Sequence, residues 1–323
     1  MKAQSLYQLL SEAAAGGSLP AGFSLHEKND GVCWADGAQD GVQLYHMAPQ
    51  EITAEQEALL CSAIDSAGAG RDAEAEARLL AFAREARALT AADLIQDYIL
   101  DNKEKFNPAL LHRFALRLAA ESEDAECVKI GLTVLELFRA NEEVKKVVRV
   151  LALSDEFTFF ALFTMQRWEN GNREIFETAQ KVHGWGRIHA VDCLEPETEE
   201  IRRWLLREGI RNDVLPAYSA LTCWEKSGAR QLVRGESLQR EDFCAIRDII
   251  GALLDESAVS GLSAMDDGEA CVLQFLAHAA RQPLTADDMN VIDALRDHYA
   301  GEGNGAGSIM ERCETLRKQL NNE

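Results

Sequence analysis

Residues 185–194 read Trp-Gly-Arg-Ile-His-Ala-Val-Asp-Cys-Leu, and Pro196 follows two positions later. Ile188, Val191 and Leu194 fall on one face at helical spacing, and Ala190 is small enough to let a neighbouring helix come close. Pro196 pushes the residue before it out of the helical region and sets a boundary. Glu197 to Glu208 then reads as a partner helix, with Ile201, Trp204 and Leu205 turned inward and Gly209 as its stop. Its acidic start (Glu197, Glu199, Glu200) and basic end (Arg202, Arg203, Arg207) suit the helix dipole. Asp213 to Trp224 begins the next unit, where Pro216 is tolerated only in a first turn. Two short amphipathic helices joined by a tight turn make a helix pair.

The same rhythm extends outward. Helical periodicity begins near Ala73, Ala91, Pro108, Ala125, Glu142, Asp155 and Arg173. It begins again near Gly184, Glu197, Asp213, Glu241, Glu269 and Ala286. Steps of about 12–18 residues give a helix pair roughly every 30–35, within the range of helical repeat arrays. Thr90, Ser154, Asn172 and Thr285 stand where N-caps are wanted. Thr53 and Gln56 have the spacing of a capping box. Residues 66–72 read as a flexible joint.

The fold expected is therefore mainly α, an α-solenoid over 73–300, with a glycine-rich hinge and a last helix at 301–323. The first 65 residues read differently. A short helix from Ser5 to Ala15 ends at Gly16-Gly17. Phe23 to Leu25, Val32 to Trp34 and Val42 to Met47 follow as β-prone runs, divided by Asp30-Gly31, Asp36-Gly37 and Asp40-Gly41. Such dipeptides suit hairpin turns, so a small antiparallel β segment is expected ahead of the Thr53 helix.

An Arg early in a helix, a small residue three positions on and a closing Leu (here Arg187, Ala190 and Leu194) resemble a HEAT repeat. The resemblance implies a HEAT/armadillo-like array. The 185–194 stretch and the Asp-Gly-rich N-terminal part also look similar to a group of bacterial chains labelled limonene hydroxylase, which implies an enzyme acting on a small apolar molecule. The residues supply no motif for that chemistry. No histidine has a Glu three positions before it, as a di-iron bundle would use. Gly301–Gly307 is not preceded by a strand, as a dinucleotide turn would be. No Gly-x-Ser-x-Gly elbow occurs. His189 and Cys193 stand one helical turn apart, but a zinc site needs further ligands. Packing of Cys193 and a surface position for His189 explain the pair better. The sequence calls for no metal and no cofactor.

With 33 basic and 54 acidic residues the chain carries −21. That charge repels phosphate backbones and anionic lipid surfaces, which points away from nucleic acid and membranes and toward a protein or peptide partner, basic ones included. No two of the eight cysteines are closer than 21 residues. That spacing and the missing signal segment fit free thiols in the cytoplasm.

Between Arg187 and Arg240 nine basic residues balance nine acidic ones, so this span alone departs from the acidic background. The expected function is a non-enzymatic protein-binding scaffold. Its candidate strip is Arg203, Arg207, Arg230 and Arg234, with Trp185 and Trp224 as exposed anchors, because Arg and Trp concentrate interface energy. The β segment offers a third possible contact through Trp34, Tyr45 and His46.

Overall fold

Thr53 opens the first long helix as its spacing requires. Its hydroxyl accepts the Gln56 backbone N–H at 3.2 Å, and the Gln56 side-chain oxygen accepts the Thr53 N–H at 3.0 Å. At the other end of the chain Thr285 and Asp288 exchange the same kind of bonds. The computed structural model describes residues 4–26, 33–300 and 307–320. Every regular element among them is a helix, as the periodicity predicts for the chain from Thr53 onward.

The chain divides into two compact units, Met1–Cys193 and Leu194–Glu323. The first holds α1 (Leu6–Ala13), α2 (Ala38–His46), α3 (Ala54–Gly68), α4 (Asp72–Ala83), α5 (Ala88–Asp101), α6 (Pro108–Glu121), α7 (Ala125–Leu135), α8 (Glu142–Leu151), α9 (Asp155–Gln166), α10 (Gly171–Ala179) and α11 (Trp185–Cys193). Helices α5, α7, α9 and α11 pack one against the next to form a row. Behind it, α6 packs on α7, α8 on α9, and α10 on both α9 and α11. Helices α6 and α7 approach closely at Gly131 of α7, where a Cβ would lie 2.8 Å from the Ala115 carbonyl oxygen of α6. A side chain there would push two backbones apart. The α1 helix is pinned to the rear layer by Ser5, whose hydroxyl donates to the Ala120 carbonyl.

The second unit holds α12 (Glu199–Glu208), α13 (Ala217–Lys226), α14 (Ala229–Val233), α15 (Arg240–Leu253), α16 (Gly268–Ala279), α17 (Ala286–Ala300) and α18 (Gly307–Leu320). Its core includes Trp224 and the stacked rings of Phe243 and Phe275, 4.9 Å between centroids. The fully buried Asp288 accepts from Arg240 and Arg247 at 2.7 and 2.8 Å.

Several expectations change. There is no strand among the described residues; Val42 to His46 belongs to α2, and Phe23 to Leu25 and Cys33-Trp34 are irregular. The Asp36-Gly37 dipeptide marks a helix start instead of a hairpin, with Gly37 at φ +73° as the N-cap. The Asp30-Gly31 turn, Val32 and residues 301–306 of the glycine-rich run lie outside the described residues. The joint shortens to Ala69–Arg71, because α3 continues to Gly68. Ser154 is the N-cap of α9, whereas Thr90 and Asn172 sit inside α5 and α10.

Candidate functional site

The α7 sequence Cys127-Val128-Lys129-Ile130-Gly131-Leu132 is buried on every side, and it contains a lysine. Lys129 is 0% exposed. An isolated ammonium there would cost several kcal/mol, so carboxylates must surround it. Nζ donates to Asp40 Oδ2 at 2.7 Å, Glu126 Oε1 at 3.0 Å and Glu156 Oε1 at 2.5 Å. Arg87, at the start of α5, donates from Nε and Nη2 to the other Asp40 oxygen, at 3.0 and 2.8 Å. Burial alone would lower the Lys129 pKa, but the three carboxylates outweigh it and hold the ammonium protonated well above its ordinary range. The outer oxygens of the two glutamates are also in use. Glu126 accepts the Ala88 N–H at 2.6 Å and Glu156 accepts the Gly37 N–H at 2.8 Å.

This cluster seats α2 on the row α5–α7–α9–α11. The helix touches it through backbone as well. At Gly41 a Cβ would lie 2.1 Å from the Trp185 ring, and at Gly37 2.4 Å from the Asp155 carbonyl oxygen, so both positions need glycine. Tyr45 completes the contact, its hydroxyl donating to Asp192 at 2.5 Å and its ring lying 6.0 Å from Trp185 and 6.2 Å from His189. Trp185 itself is placed by Asp155, whose carboxylate accepts the N–H groups of Gly184 and Gly186 at the start of α11.

His189 lies beneath this helix, walled by Tyr45, Phe159 and Trp185. Its Nε2 is buried and has no hydrogen-bond partner among the described residues. Burial pushes its pKa down from 6.5 to about 4, against a smaller upward pull from Asp40. The folded value lies below the unfolded one, so the folded protein binds fewer protons between them. His189 therefore contributes full stability above about pH 6.5 and loses it as pH falls toward 4, roughly 3 kcal/mol in all. Chemical denaturation at pH 7 and pH 4.5 should show a steeper loss for the wild type than for His189→Phe. Equal slopes would dismiss the histidine as the cause.

Beside α2 the row opens into a groove of about 720 Å³. Leu44 of α2 and Met47 just beyond its end line one side and Phe159, Phe160 and Phe163 of α9 another, with Leu89, Thr90, Asp93 and Gln96 from α5. Leu44, Met47 and Phe163 are 44%, 47% and 36% exposed. The polar rim is partly tied down. Gln43 donates to Thr90, and Glu136 accepts from Gln96 and Arg167.

The residues singled out in the sequence fall elsewhere. Trp185 and Trp224 are buried, 5% and 1% exposed, so neither is the surface anchor expected of it. Both sit on faces that pack inward, which their helix pattern alone left open. The four arginines are on the second unit and each meets a carboxylate. Arg203 pairs with Glu199, Arg207 with Asp242 and Glu241, and Arg230 and Arg234 with Asp267. Of the third set, Trp34 is exposed, Tyr45 faces the row and His46 ends α2. His189 is buried, not on the surface as expected, and no group of three or more His, Cys, Asp or Glu able to hold a metal ion occurs among the described residues. Likewise no helix among them is long and apolar enough to cross a membrane.

Sequence reading missed Lys129, Arg87 and Glu156. One signal was available: a single lysine within an all-apolar helical run needs a buried partner. No family model matches the chain, and neither the curated proteins nor the solved structures include a match.

Proposed function

We propose that this chain is a non-enzymatic protein-binding scaffold of the HEAT/armadillo-like kind, and that its first unit carries the binding face. The successive packing of α5, α7, α9 and α11 in front of α6, α8 and α10 supports a solenoid of helix pairs. The observation that carries the reading is the groove in which Leu44, Met47 and Phe163 stand exposed together within a polar rim. Clustered apolar side chains of this kind mark interaction sites, whereas single ones need no explanation. The ionic strip on the second unit carries the reading less well, because its arginines are already paired within the chain.

The partner is a protein or peptide segment that buries apolar side chains against Phe163. Phe163→Glu should reduce recovery of such a partner by affinity capture at least tenfold, with the melting temperature shifted little, since the ring is partly exposed. Arg203→Glu with Arg207→Glu should leave recovery unchanged. The opposite pattern would move the binding face to the second unit. A small apolar molecule is the second reading, favoured by the groove's volume, which lies in the range of ligand pockets. Native mass spectrometry of the purified chain separates the two.

A further inference from the structure

Helix α5 presents Leu89, Asp93 and Gln96 to the groove, and steps of four and three residues keep them on one face. The next step along that face is Leu100, which is 53% exposed. It continues the face by a further turn. Asp97 stands one turn beyond Asp93 and, like it, is exposed. Like charges at this spacing weaken a helix, and α5 contains no lysine or arginine to relieve them. Among the described residues neither carboxylate has an ion pair or a hydrogen bond. Elsewhere in the same unit surface carboxylates are matched, Asp72 by Arg113 and Arg117 and Glu174 by Arg149.

The other polar groups of the rim show the same need for a donor. Arg167, the one cation among the described lining residues, directs Nε and Nη2 to Glu136. Gln43 donates its amide nitrogen to Thr90, and Gln96 donates to Glu136 and to the Thr133 carbonyl. Their side-chain oxygens remain as acceptors in the groove that holds the Asp93 carboxylate.

We infer that the groove takes a segment of a partner protein in which apolar side chains are flanked by two lysines or arginines, whose cations lie on Asp93 and Asp97. The inference deepens the scaffold reading and rests on it. The two carboxylates stand about 6 Å apart along the helix axis. The cations of the partner are therefore one turn apart on a helix, or two residues apart on an extended segment. Its apolar side chains cover Phe163 and Leu100. The charge of −21 attracts basic partners to the whole chain; unpaired carboxylates beside an apolar groove confine the tight contact to this face.

The probe is a library of short random peptides displayed on phage and selected on the immobilised full chain at physiological salt. Selected peptides should carry paired Lys or Arg next to aromatic or aliphatic residues. Resynthesised and titrated by fluorescence anisotropy, they should bind the Asp93→Asn, Asp97→Asn chain about fivefold more weakly than the wild type, the effect of losing two surface ion pairs. Leu100→Ser should weaken them to a similar extent. Glu121→Gln with Glu123→Gln removes the same charge from exposed positions outside the groove and should change nothing. In about 1 M salt, where charges are screened beyond about 3 Å, the wild type and the aspartate variant should bind alike. Selected peptides that lack basic residues but are lost on Phe163→Glu overturn the inference and leave the scaffold reading standing. Basic peptides weakened no more by the changes at Asp93 and Asp97 than by those at Glu121 and Glu123 overturn it as well, since general attraction then accounts for them. Selection of no peptide sensitive to Phe163→Glu or Leu100→Ser refutes the groove and both readings with it.

Discussion

Replacing Lys129 by methionine is expected to destabilise the first unit by about 3–5 kcal/mol, the cost of removing one partner from a buried ionic cluster. The substitution conserves length and packing, so the loss is electrostatic. It leaves Asp40, Glu126 and Glu156 facing one another with only Arg87 to offset them. Urea denaturation followed in the far ultraviolet gives the magnitude. A second measurement gives the mechanism: restoring balance with Asp40→Asn and Glu156→Gln in the same chain should recover a large part of the loss, because residues in one network couple strongly. A lone Lys129→Met effect under 1 kcal/mol would mean that the cluster is not desolvated as its geometry indicates.

Trp224→Ala should cost the second unit about 3–5 kcal/mol, the range for emptying a large buried aromatic site. The side chain is 1% exposed and lies with Ala220 and Cys223 on the inward face of α13. This position separates two readings of one residue. As an interface anchor it would lower binding and spare folding; as core it lowers the melting temperature and spares any partner held through Phe163. We expect the second outcome, and calorimetry together with a binding assay on the same sample decides it.

The positions of the helices were legible because their signals are local. Pro108 stands in the first turn of α6, and Thr53 with Gln56 caps α3 through bonds that span three residues. The α2 helix was not legible, for a physical reason. Val42, Leu44 and His46 alternate like a strand, and the bonds that hold the segment as a helix come from Arg87 and Lys129, 47 and 89 residues away. Periodicity within the segment carries no trace of them. The candidate site shares that fate, since it is assembled from α2, α5, α7, α9 and α11 with no motif in any one of them. The tryptophans misled for a related reason: Trp185 and Trp224 lie on short helices where either face could be the inner one.

The Tyr45–Asp192 contact spans 147 residues of chain. During synthesis from the N-terminus, α2 emerges first and its seat last. At about 5–20 residues per second, roughly 7–30 seconds pass between the two. Lys129 follows Asp40 by 89 residues, but until the end of that interval residues 38–46 have no Trp185 and no Asp192 to settle on. The row α5, α7, α9 and α11 is therefore synthesised before α2 can complete its contacts with it.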